Sequence, residues 1–196
     1  MNTVKFQTVK NYILRQAGHE AFSGDTARKI ETGQIVLRDN TDYIRKEISA
    51  APSGTVPLIT GNTRITEGVS TFLGNKKEKS VNQVITHMRI AYAGDEYSEK
   101  EAALVYVNDE DNVPAALRSA TVIISQDGKP VIKLPVMDFV KPANDGNSAY
   151  TELSAFALIK EEQSFGIELA FADGVNLGAG KHYVEIGLRG MSTFEK

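Results

Sequence analysis

The 196-residue chain contains no cysteine and no tryptophan, and only three histidines, His19, His87 and His182. Without cysteine there can be no disulfide framework, thiolate zinc site, iron–sulfur cluster or thiol nucleophile. Three histidines leave little material for a metal cage, so neither a metal site nor a cofactor is expected. No apolar run approaches the roughly 20 residues that cross a bilayer, so no membrane span is expected. Met1 to Gln16 is interrupted by Lys5, Lys10 and Arg15 and has no small-residue cleavage site, which argues against a signal peptide. Asn-x-Ser/Thr sequons are absent as well. A strong charge of either sign is also missing. The 22 basic and 25 acidic residues leave −3, which by itself draws the chain to neither nucleic acid nor an anionic membrane.

What is present is an ordinary globular composition, 41% hydrophobic and 24% charged, long enough to bury a core. Val9, Tyr12, Ile13 and Ala17 fall at helical spacing, with Leu14 widening the stripe and Gly18 placed to close it. A second helical turn is expected from Asp25 as N-cap through Ile30 and Glu31, ended by Gly33. Residues 1–33 therefore read as an N-terminal helical arm carrying Lys5, Lys10 and Arg15. It either docks on a neighbouring subunit or an acidic surface, or lies on its own domain. From about Ile35 the texture becomes β: short β-branched and aromatic runs alternate with Gly, Asn, Asp and Pro clusters, as in a sandwich or barrel.

Gln34–Asp39 and Asp42–Ile48 read as two strands, and Val56–Ile59, with Pro57, as an edge or a strand start. Val81–Ala93 alternates cleanly, with Val84, Thr86, Met88, Ile90 and Tyr92 on one face and Gln83, His87 and Arg89 on the other. Asp127-Gly128 between Ala120–Ser125 and Val131–Val136 reads as a type I′ hairpin turn, whose two central residues need positive φ. Pro130 and Pro135 make its second strand an edge or a bent strand. Tyr150–Lys160, Ser164–Ala172 and His182–Arg189 complete roughly seven to nine strands in residues 34–196. They could form one sandwich or two small sheets. Asp95–Asn112 holds seven acidic residues against Lys100 and reads as a loop with a short element inside it.

Catalytic templates find little to match. There is no G-x-S-x-G elbow, phosphate-binding G-x-x-x-x-G-K-[ST] loop or H-E-x-x-H helix. Gly174 to Gly180 is glycine-rich, but a strand pattern follows it where a phosphate cradle needs a helix N-terminus. The run Asn108 to Asn112 offers oxygen ligands yet lacks the sixth-position glycine and distal glutamate of an EF-hand, so it reads as a solvated acidic turn. His87 or His182 could belong to a triad scattered along the chain, and Glu168 with Glu185 to a glycosidase pair, if those strands are neighbours. A surface histidine and a solvated sheet face explain the same residues more simply, and no enzyme is expected.

A helical arm before a cysteine-free, mainly β chain with acidic and Gly-rich loops resembles the jelly-roll major capsid and virion proteins of small tailless bacteriophages. The phrases that carry the likeness are Ile48–Ile59, Gly68–Asn75, Val84–Ala93, Gly128–Phe139 and Tyr183–Gly190. The resemblance implies an antiparallel β-sandwich of single jelly-roll type over residues 34–196, assembling with itself and with other virion proteins. It also implies a virion location, with assembly in the host cytoplasm. The arm could add weak, salt-sensitive contact with nucleic acid. Lys5, Lys10 and Arg15 on the arm, and Asp109, Glu110 and Asp111 in the acidic run, are the expected assembly contacts, meeting head to tail between copies. The competing reading is a non-enzymatic ligand- or carbohydrate-binding sandwich, disfavoured by the lack of tryptophan platforms.

Overall fold

In the computed structural model, residues 3–18, 22–94, 99–102, 105–142 and 150–196 are described. Strand-forming runs give β1 (Ile35–Ile48), β2 (Gly54–Pro57), β3 (Gln83–Gly94), β4 (Thr121–Gln126), β5 (Lys129–Pro135), β6 (Thr151–Ile159), β7 (Phe165–Phe171) and β8 (His182–Glu195). Helices α1 (Thr3–Gly18) and α2 (Gly24–Glu31) precede them, and the short α3 (Glu99–Ala102) and α4 (Ala115–Arg118) lie between β3 and β4. The Asp127-Gly128 turn has φ of 48° and 75°, as a type I′ hairpin requires, and joins β4 to β5. β5, with its two prolines, is an edge strand.

The strands form two four-stranded antiparallel sheets, one in the order β1-β8-β3-β6 and the other β2-β7-β4-β5. The pairings β1 with β8, β2 with β7, β3 with β6 and β4 with β5 are those of one long antiparallel ribbon folded back at the β4–β5 hairpin. Two further pairings, β8 with β3 and β7 with β4, roll that ribbon into the two sheets. Ile44, Met88, Ile90, Ile186 and Leu188 from the first sheet and Val122, Ile124, Ile167 and Leu169 from the second share one buried core. The β-rich part is therefore a sandwich-like unit, with side chains of both inner faces meeting between the sheets.

Three expectations are corrected in detail. β1 is one continuous strand, because β8 offers fourteen successive partners from Ile35↔Glu195 to Ile48↔His182 and leaves no gap for a turn. In β3 the register shifts between Ile85 and His87, which reverses the alternation: Val84 faces outward, whereas Ile85 joins Met88, Ile90 and Tyr92 in the core. Opposite this bulge a Cβ on Gly190 would meet the Val84 carbonyl, so only glycine fits. Finally, the N-cap of α2 is Ser23 rather than Asp25, since its hydroxyl accepts a hydrogen bond from the Thr26 N–H at 3.3 Å.

Both N-terminal helices cover the outer face of the first sheet at its lower end, where β1 and β3 begin. Val9, Ile13, Ala17 and Phe22 form a second buried cluster with Val84, Leu158 and Met191, so the outward turn of Val84 supplies part of the helix seat. A buried carboxylate fixes α2. Glu161 accepts from Ser23 N–H (3.3 Å), Ser23 Oγ (3.1 Å), Thr26 Oγ1 (2.9 Å) and Ser80 N–H (2.5 Å). A negative charge at that helix start also suits the helix dipole. Lys29 adds an ion pair to Glu195 at 2.6 Å and to Asp25 at 3.1 Å.

Candidate functional site

The outer face of the first sheet carries a cluster of charged and aromatic side chains. Above the helix seat, the alternation of β8 puts Glu185, Gly187 and Arg189 outward, and β1 and β3 bring Arg45 and Arg89 to either side of Glu185. Arg45 Nε donates to Glu185 Oε2 at 2.6 Å, and Arg89 Nη1 donates to Oε1 of the same carboxylate. Glu185 is 2% exposed. Each guanidinium also ties down a connecting segment: Arg45 Nη1 donates to the Gly68 carbonyl (2.5 Å) and Arg89 Nη2 to the Tyr106 carbonyl (3.1 Å). The Arg45 guanidinium lies 4.8 Å from the Tyr43 ring centre and 5.3 Å from that of Tyr106, close enough for cation–π attraction.

Gly187 leaves room for Tyr150, whose hydroxyl would sit 2.7 Å from a Cβ there. Burial, reinforced by the Glu185 charge, raises the Tyr150 hydroxyl above its ordinary 10.0. Arg189 stands 5.9 Å from the same ring. Beside it, between α1 and β6, opens a cavity of about 460 Å³ walled by Asp39, Thr86, His87, Glu152 and Arg189. His87 Nδ1 is 2.8 Å from Thr86 Oγ1, which also reaches the Arg189 carbonyl at 3.2 Å. Two carboxylates, a guanidinium, an imidazole and a hydroxyl around one opening can hold a small polar or zwitterionic molecule by hydrogen bonds.

No protein-family model and no curated protein matches this sequence. The functional reading therefore rests on the chain's own geometry.

The residues singled out in the sequence are dispersed. His182 is 3% exposed, with Nδ1 2.6 Å from the Tyr92 hydroxyl and Nε2 3.2 Å from the Gly178 carbonyl, and so anchors the loop before β8. His19 lies outside the described residues. Glu168 and Glu185 are not neighbours: β7 and β8 belong to different sheets, and the alternation of each turns the two carboxylates away from the shared core on opposite sides of the sandwich.

Lys10 and Arg15 are exposed on α1, whereas the Lys5 side chain lies outside the described residues. Glu110 and Asp111 are exposed near the upper end of the sandwich, and Asp109 Oδ1 accepts from the Asn112 N–H (3.1 Å) and side-chain amide (2.7 Å) in a closed turn. Val107 sits beside Tyr92, eight residues along β3 from the helix seat at Val84, roughly 26 Å at the rise of a strand. Within one molecule, then, the basic helix and the acidic turn are held apart.

The Arg45–Glu185–Arg89 cluster was missed in the sequence. Its members are spread over the chain and share only the outward parity of three strands, which becomes informative once their pairing is known.

Proposed function

We propose that this chain is a virion structural protein, a capsid or coat subunit of single jelly-roll type, that acts by self-assembly through its surfaces. The observation that carries the reading is the strand pairing. A ribbon folded at the β4–β5 hairpin, with sheet orders β1-β8-β3-β6 and β2-β7-β4-β5, supports reading the sandwich as an eight-stranded jelly roll with two Greek keys, an architecture used by viral capsid domains. Such a roll leaves its long connections at the two ends and along one flank, where copies can meet without opening the core. The resemblance of the chain to bacteriophage virion proteins points the same way.

Lectin and cupin domains share that architecture, so fold alone does not decide function. The 460 Å³ cavity beside Arg189 favours a second reading, a ligand-binding sandwich without catalysis. Light scattering and electron microscopy of the purified protein across concentration separate the two. Regular shells, rings or sheets are expected. A strict monomer at every concentration and salt, with a saccharide or zwitterion protecting the cavity residues in hydrogen exchange, would favour the second reading instead.

A further inference from the structure

The first sheet is interrupted where its charged cavity opens. β3 pairs with β6 at Ile85↔Ala157 and next at His87↔Glu152, so residues 153–156 of β6 stand opposite Thr86 alone. Bulges bend a strand and re-aim its side chains, and they are common beside active sites. Here the cavity of about 460 Å³ lies at the bulge, with Thr86, His87, Glu152 and Phe156 in its wall. That volume is within the range of small-molecule sites, roughly 300–1,000 Å³.

The charges around it are ordered by strand register. Arg189 stands opposite Thr41 and Asp39 opposite Met191, so Asp39 and Arg189 are diagonal neighbours on the outer face of β1 and β8. Residues so placed lie roughly 7–8 Å apart. Both side chains are exposed and line the cavity, and neither makes an ion pair among the described residues. The remaining wall toward α1 is apolar, with Val9 and Met191 buried and Phe156 half-buried. Glu152, two strands from Arg189 across His87, adds a second carboxylate on the far side.

Resting on the ligand-binding reading of this cavity, we propose that it takes a free α-amino acid with an apolar side chain. Arg189 donates to the ligand carboxylate, Asp39 accepts from its ammonium group, and its side chain lies against Met191 and Phe156. A carboxylate and an ammonium on one carbon bridge the diagonal across which Asp39 and Arg189 do not pair with each other. Both contacts are charge-assisted hydrogen bonds, the stronger kind. A plain carboxylate would face Asp39 and Glu152 with only Arg189 in its favour. A plain amine would leave Arg189 unmatched, and a neutral sugar would match neither charge.

Equilibrium dialysis of the full chain with radiolabelled leucine tests this whether or not copies assemble. Saturable binding is expected. Isocaproate, which lacks the ammonium, and isoamylamine, which lacks the carboxylate, should each compete at least about tenfold less well than leucine. Arg189→Gln and Asp39→Asn should each raise the dissociation constant for leucine at least about tenfold, with unchanged melting midpoints. Equal competition by either analogue, or unchanged affinity in both variants, overturns the assignment. Protection of the cavity from hydrogen exchange by glucose without any leucine binding overturns it and leaves the ligand-binding reading standing. Binding of neither probe overturns both.

Discussion

Glu185 is a single buried carboxylate shared by two guanidinium groups, so its removal leaves two positive charges on a largely covered sheet face. Breaking such a pair costs about 3–5 kcal/mol, because the remaining charge has lost its compensation. The Arg45 and Arg89 side chains keep 18% and 17% exposure, which places Glu185→Ala near the lower end, about 3 kcal/mol. Glu185→Gln keeps the shape and one acceptor and should lose less, and urea melts of the two variants give the ordering. Gly190 is constrained by space alone. A methyl group there meets the Val84 backbone, and Gly190→Ala should destabilise by about 1–3 kcal/mol or more, read from the same melts. An unchanged midpoint for Gly190→Ala would mean that the bulge can slide. Neither effect was legible in the sequence, where Glu185 reads as a polar position on a solvated face and Gly190 as a strand end.

Individual elements were more readable. The apolar stripe of α1, the hairpin at Asp127-Gly128 and the prolines of an edge strand are local signals, and each encodes its own geometry. The β3 bulge was hidden because Gln83-Val84-Ile85 offers apolar side chains to both faces, so either parity looks acceptable until the helices claim Val84. For α2, Ser23 and Asp25 are both good caps, and the buried carboxylate of Glu161, far along the chain, selects Ser23. The docking of α2 is also pH-sensitive in a defined direction. Hydrogen bonds from Lys29 lower both Asp25 and Glu195, with Ser80 adding to the effect on Glu195. Their contribution is therefore present above the ordinary values of 3.8 and 4.5 and lost as pH falls through the lower folded values. Lys29, raised by Glu195 and then Asp25, contributes below 10.5 and loses its contribution as pH climbs past the raised folded value. Amide protection factors of residues 23–31, corrected for intrinsic exchange, should fall below about pH 4 before those of the sheets. Glu195→Gln should lessen that fall in protection, and an identical profile in the variant would remove Glu195 from the account.

For the whole molecule, the two readings of the N-terminal segment now have different consequences. Its apolar face is occupied by Val84, Leu158 and Met191 of the same chain, so deleting residues 1–33 would uncover core-like surface and confuse misfolding with failed assembly. Reversing the exposed Lys10 and Arg15 is the cleaner experiment. Loss of assembly with an unchanged melting midpoint is expected if α1 meets an acidic neighbour, whereas unchanged assembly would leave the helix the role of covering its own sheet. Mainly β composition and strand number could be read from period and punctuation. Which strands pair could not, because the partner of Ile35 is Glu195 and nothing local to either residue says so.

That last pairing has a consequence for folding. β8 is inserted between β1 and β3, so the first sheet has a vacant centre until β8 is seated. Folding dominated by such distant partners is slow and late. Until then β1 has no strand partner and β3 presents an open edge. The seating of β8 is thus the step that closes the first sheet, joining β1 to β3 and β6.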